Sequence, residues 1–180
     1  MTVITVRQAH GEDDIQTVAE MWVRAAKRLA DRGYDQWQYP VKMYNIRDAV
    51  AAGTCWLVDS PTGETSGTIT VNNDADGNLW LPNDNPADAL YLHRMITERG
   101  LAGIEAGSAL MDWAARRATQ QGKRWIRLDA WRTNRELWTY YQKRGFELVR
   151  IVEDPTGSGA CFQRLSRIQS ALGPKVAEFS

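Results

Sequence analysis

ALYLHRMITERGLAGIEAGSALMDWAARRATQQGKRWIRLDAWRTNRELWTYYQKRGF, residues 89–146, is the stretch whose reading decides the fold. It reads as strand, glycine-containing loop, helix, strand, helix. The apolar run 89–97 is the central strand. The loop GLAGIEAG opens directly into an amphipathic helix that carries Leu110, Trp113 and Ala114 on its apolar stripe and stops at Gly122. A helix start offers unpaired backbone N–H groups and the positive end of the helix dipole, which suits a phosphate. On the second helix Asn134 and Tyr141 are seven residues apart, so they share a face about 10 Å apart. A phosphate cradle followed by a polar pair on a neighbouring helix points to a long phosphorylated cofactor.

The flanking sequence extends this pattern. Residues 2–7 and 54–59 read as strands, and 68–72 forms a hairpin with the latter. Helices are expected at 14–31 and 43–52, ended by Gly33 and Gly53. Residues 123–131 and 146–152 read as strands, and 160–166 closes a hairpin with the last of these. Thr133 and Glu136 have the spacing of a capping box for the helix between them. The expected fold is α/β (α+β): a mixed, mostly antiparallel sheet of about six to seven strands with about four helices. One domain is expected over 1–169, with 170–180 as a flexible tail.

With 22 basic and 22 acidic residues in a chain of 180, no net charge draws the protein toward nucleic acid or a membrane surface. No apolar run reaches the length of a membrane span, and no secretory leader is recognisable, so a cytoplasmic location is expected. Cys55 and Cys161 read as small buried hydrophobes, and no metal site is expected. The aromatic, amide-rich stretch 33–40 makes Gln36 and Trp37 candidates for an acceptor pocket. The irregular stretch 79–88 adds Trp80, and Tyr91 on the central strand is a fourth candidate. Packed loop and core positions are the alternative for all four.

Two motifs resemble the GNAT superfamily of acyl-CoA N-acyltransferases. RGLAGIEAGSALMDWA (99–114) is similar to that family's pyrophosphate loop and helix, Arg/Gln-x-x-Gly-x-Gly/Ala. NRELWTYYQKRGF (134–146) is similar to its Asn-x6-Tyr-x3-Gly-Phe segment, matched at Asn134, Tyr141, Gly145 and Phe146. The first motif departs from the pattern, with Ala102 where arginine or glutamine is usual and Glu105 where the middle glycine is usual.

The resemblance implies transfer of an acetyl or other acyl group from acetyl-CoA (or another acyl-CoA) to a primary amine of a small molecule or peptide. The main chain of Met95 and Thr97 would hold the pantetheine arm. The loop Ala102, Gly103, Ile104, Glu105, Ala106, Gly107 and Ser108 would hold the pyrophosphate, and Asn134 the cofactor arm. Tyr141 would be the general acid for the departing thiolate. His93, on the central strand, is one candidate base and Asp129 the other. A homodimer is left open. The competing reading, motivated by Glu105, is a non-catalytic acyl-CoA-binding or regulatory module with a degenerate pyrophosphate loop. A dinucleotide-binding domain is disfavoured because GLAGIEAG lacks the G-x-G-x-x-G spacing.

Overall fold

The computed structural model describes residues 1–179. In chain order the elements are β1 (Val3–Gln8), α1 (Gly11–Asp31), α2 (Met43–Ala51), β2 (Cys55–Asp59), β3 (Thr65–Asn72), β4 (Ala89–Thr97), α3 (Ala106–Gln120), β5 (Trp125–Trp131), α4 (Arg135–Gln142), β6 (Glu147–Ile151), β7 (Ser158–Leu165) and β8 (Lys175–Phe179). Short 3-10 turns stand at 82–84, 86–88 and 99–101. The hydrogen-bonded strand order is β6-β7-β5-β4-β3-β2-β1-β8. The pairs β4–β5 and β1–β8 are parallel; β1–β2, β2–β3, β5–β7 and β6–β7 are antiparallel.

The chain divides into two compact units. One comprises 1–71, 94–110 and the segment from Leu172 on; the other comprises 72–93 and 111–171. Strand β4 and helix α3 each run from one unit into the other. In the first unit, α1 carries Glu12, Asp13 and Asp14 in its first turn, where acidic side chains complement the dipole. Ile15, Val18, Ala19, Trp22 and Ala25 form its buried stripe and pack with Ile46, Ala49, Leu57 and Ile96. Gly67 on β3 allows close backbone approach, since a Cβ there would stand 2.9 Å from the Ile96 carbonyl oxygen.

The sheet has one strand more than the upper expectation. Residues 175–179, expected within a flexible tail, form β8, which pairs in parallel with β1 from Val3↔Lys175 to Arg7↔Phe179. The reason lies in the edge of β1, whose N–H and C=O groups on that side need partners that the extended segment KVAEF supplies. Ser180, the last residue of the expected tail, lies outside the described residues. A second difference concerns α4. Its N-cap is Asn134, whose Oδ1 accepts from the Leu137 N–H at 3.0 Å, rather than Thr133 one position earlier.

In the second unit Asp112 gathers four donors. Its carboxylate accepts from Arg164 Nη2 (3.0 Å), the Ser170 N–H (3.0 Å) and hydroxyl (2.8 Å), and the Ala171 N–H (2.9 Å). Both side chains of the ion pair are buried. Arg164 also stacks over Phe146, its Cζ 5.0 Å from the ring centroid, and donates to the Arg144 carbonyl. Removing one partner of such a pair leaves an uncompensated buried charge. Asp112→Ala is therefore expected to lower unfolding free energy by about 3–5 kcal/mol, read from urea denaturation. A loss below about 1 kcal/mol would mean that the Arg164 charge finds other compensation.

Candidate active site

Strand β4 sets the site. Its parallel pairing with β5 runs from Ala89↔Trp125 to Tyr91↔Arg127, although β4 continues to Thr97 and β5 to Trp131. Three residues past the last pair, Arg94 takes φ +46°, a left-handed conformation that L-residues rarely adopt in a strand. The regular alternation expected for Tyr91, His93, Met95 and Thr97 is interrupted at that residue. Beyond it Met95 is half-buried and Thr97 exposed. A strand that parts from its neighbour leaves main-chain N–H and C=O groups able to receive an extended ligand arm as an added strand.

The loop after β4 turns left-handed twice, at Gly103 (φ +74°) and at Glu105 (φ +56°). The second position explains why glycine suits it. Glu105 adopts the conformation anyway, at a cost of about 1–2 kcal/mol. Its carbonyl accepts the Ala109 N–H, so Glu105 stands at the N-cap position of α3, and its carboxylate accepts from the Ser108 hydroxyl at 2.7 Å. A carboxylate at a helix start returns roughly 0.3–1 kcal/mol, which offsets part of the strain. Ala102, Gly103 and Glu105 are exposed, Ile104 and Gly107 half-buried, and Ala106 and Ser108 buried. The run thus reaches solvent at Ala102, Gly103 and Glu105, just before the start of α3. Gly173 packs against this turn, where a Cβ would lie 2.4 Å from the Glu105 carbonyl oxygen.

Tyr141 is buried on α4 in an aromatic cluster. Its ring centroid lies 5.4 Å from Tyr140, 5.6 Å from Phe146 and 6.0 Å from Phe162. Burial pushes its phenol well above the ordinary value, and the nearby charge of Asp129 acts in the same direction. The hydroxyl therefore keeps its proton through the neutral range. Asn134 is buried, and its side-chain oxygen is committed to capping α4. A cofactor contact by Asn134 would thus fall to its amide NH2.

His93 Nε2 lies 3.1 Å from Asn72 Oδ1. That oxygen also accepts the Asp74 N–H, which identifies it as the acceptor end of the amide. Nε2 therefore carries the hydrogen, and Nδ1 has the basic lone pair. Asp129 is half-buried and accepts a short hydrogen bond from the Ser158 hydroxyl.

The four acceptor-pocket candidates separate. Trp80 and Tyr91 lie in the core with Leu79, Ala89 and Cys161. Their rings meet edge-on at 5.9 Å, and the Tyr91 hydroxyl donates to the Pro86 carbonyl. Each is nearly inaccessible (2% and 1%), so a substrate does not reach them without displacing that packing. Gln36 is also buried. Trp37 is half-buried, with φ +62°, and its ring meets Trp22 edge-on at 5.9 Å. Sequence reasoning missed Arg94. Its signal was a lone arginine inside the apolar strand ALYLHRMIT, one residue past His93. Among the described residues no group of three or more His, Cys, Asp or Glu is placed to hold a metal ion.

A model of the acetyltransferase (GNAT) family matches residues 18–146. The uncharacterized N-acetyltransferase YesJ of Bacillus subtilis strain 168 is 27% identical over 142 residues, covering 76% of this chain and 78% of that protein. A GNAT-family acetyltransferase from Listeria monocytogenes is similar in structure with a TM-score of 0.71 and 22% identity, over 90% of this chain and 94% of that one. The aminoglycoside acetyltransferase AAC(6')-Ib, solved in complex with coenzyme A, gives a TM-score of 0.66 at 16% identity, over 90% and 94% of the two chains.

The Glu105 carboxylate at the loop makes one quantitative expectation. Glu105→Gly removes both the backbone strain and a negative charge that opposes a pyrophosphate. Coenzyme A affinity measured by calorimetry should rise about tenfold, or about 1.4 kcal/mol. Unchanged affinity would mean that the carboxylate stays turned toward Ser108 when the ligand binds.

Proposed function

Because the chain belongs to the GNAT acetyltransferase family and is thereby an acyl-CoA-dependent N-acetyltransferase, we propose that it acetylates a primary amine by direct attack, with Tyr141 as general acid. The observation that carries this reading is the end of the β4–β5 ladder after Tyr91↔Arg127, followed by a left-handed loop at a helix start. Those are the two supports a pantetheine arm and its pyrophosphate need. Acetyl-CoA, the co-substrate, supplies the activated acyl group as a thioester.

The chain's own residues then have three tasks. Main-chain groups of Met95 and Thr97 bind the arm, and the amides of 103–108 bind the phosphates through the α3 dipole. His93 takes the proton that the amine must lose, with Nδ1 as the accepting atom. Asp129 is the weaker alternative, since its carboxylate already accepts from the Ser158 hydroxyl. Tyr141 donates its proton to the departing thiolate. As the new N–C bond forms, the C–S bond breaks, the amine proton goes to the base, and the phenolic proton goes to sulfur. An ordinary phenol already holds its proton at pH 7, and burial makes this one a weaker acid still, so donation to the thiolate, whose thiol has a pKa of about 8.5, works through position at the leaving sulfur rather than through acid strength.

A non-catalytic module is not favoured, because Tyr141 is retained and the Glu105 carboxylate is engaged by Ser108. No helix is long and apolar enough to cross a membrane. A cytoplasmic location is supported by an intracellular co-substrate and by two free thiols, Cys55 and Cys161.

Tyr141→Phe is expected to lower kcat about a hundredfold with little change in KM for acetyl-CoA. The rise in the phenol's pKa means that wild-type kcat should show no fall from its deprotonation below about pH 10. A variant with wild-type kcat would reassign the proton to water. His93→Ala should lower turnover while leaving acetyl-CoA affinity nearly unchanged, and a larger loss in Asp129→Asn would move the base to that residue.

A further inference from the structure

Among the described residues Arg94 is a half-buried cation with no carboxylate partner. Its Nη1 is inaccessible and has no hydrogen-bond partner. The guanidinium lies over the Trp22 ring, Cζ 4.7 Å from the centroid. Desolvation disfavours its charge, and the groups that act the other way are a thiol, Cys55, and a phenol, Tyr39. Three carboxylates of this unit are engaged with other arginines. Glu98 pairs with Arg24 at 2.7 Å, Asp14 with Arg7 at 2.8 Å, and Glu12 with Arg47. Buried charges are normally paired. Arg164 shows what pairing looks like in this same chain, with Asp112 at 3.0 Å.

The surroundings have the form of a binding wall. Trp22 takes Trp37 edge-on at 5.9 Å and Tyr39 edge-on at 6.4 Å. The segment bearing those rings is fastened to α1, because Gln38 Nε2 donates to the Ala26 carbonyl at 2.8 Å and to that of Gln36 at 2.9 Å. Trp37, Tyr39 and Arg94 are each half-buried, so the cluster reaches solvent. The cation sits at the left-handed residue of β4, one position after His93. A guanidinium is planar and meets a carboxylate with two parallel hydrogen bonds.

We propose that the acceptor amine also carries a carboxylate, bound by Arg94 against the Trp22, Trp37 and Tyr39 rings, so that the substrates are small amino-carboxylates. This rests on the reading of the chain as an N-acetyltransferase. A planar guanidinium among three rings suits a planar monoanion that it meets with two parallel hydrogen bonds; the second cation at this cluster, Lys42, has its Nζ 4.8 Å from the Tyr39 ring centroid.

The test uses matched amines, L-phenylalanine against phenethylamine and 4-aminobutyrate against butylamine, with coenzyme A thiol release as the readout. Wild-type kcat/KM should favour the carboxylate member at least tenfold in one pair, mainly through KM. Arg94→Met, which keeps an apolar chain over Trp22, should bring that ratio to about one, and Arg94→Lys should restore part of it. Equal kcat/KM within both pairs in the wild type would overturn the carboxylate assignment and leave the transferase reading intact. No thiol release with any of the four amines would count against both. A measurement independent of turnover and of variant folding is the thermal midpoint of the wild type with 3-phenylpropionate and with 3-phenylpropanamide. The acid should raise it and the amide should not; equal effects would overturn the proposal.

Discussion

The parting of β4 from β5 is the constraint on which the site depends. The two strands pair for three residues and then stop, while β5 remains paired with β7 from Trp125↔Leu165 through Trp131↔Ser158. Strand β5 stays paired with β7 past Asp129, with a register shift between Ala130 and Trp131 before the chain leads into α4. Strand β4 instead turns through a left-handed arginine. A backbone in that region persists only where the surroundings over-determine it. Here a cation–aromatic stack on Trp22 and the close approach of Gly67 to the Ile96 carbonyl do so.

The chain's buried arginines show two different uses of the same residue type. Arg164 and Arg127 are bound by protein oxygens, although Arg164 Nε is buried without a hydrogen-bond partner. Arg164 has a carboxylate and a carbonyl; Arg127 reaches Gln163, the Tyr91 hydroxyl and the Asp84 and Asn85 carbonyls. These rigidify the second unit. Arg94 lies over the Trp22 ring instead of meeting a carboxylate, and its Nη1 is buried and unmatched. Glu105 breaks a local rule in another way, bent into a glycine conformation at the start of α3.

Element order, the positions of β4, α3 and α4, and the two family motifs were legible in the sequence because each rests on periodicity or fixed spacing. The rest depended on tertiary neighbours. The pattern of 175–179 is too short to announce a strand and becomes one through the edge of β1. Trp80 and Tyr91 looked like pocket walls from composition alone; the Arg127 guanidinium stacked 4.7 Å from the Trp80 ring, together with Cys161, makes them core. Thr133 and Asn134 both suit an N-cap, and only the backbone geometry chooses Asn134. The left-handed turn at Arg94 carries no sequence signal, since glycine is what usually marks one; at Glu105 the signal was the motif, which has glycine at that place.

Hydrogen exchange read by mass spectrometry, with and without acetyl-CoA, tests the central claim most directly. Binding along β4 and across the α3 start should slow exchange at the amides of 95–97 and 103–108, leaving β8 (Lys175–Phe179) and α2 (Met43–Ala51) unchanged. Slowed exchange confined to other segments, or none at saturating ligand with the protein folded, would contradict the placement of the co-substrate and the mechanism built on it.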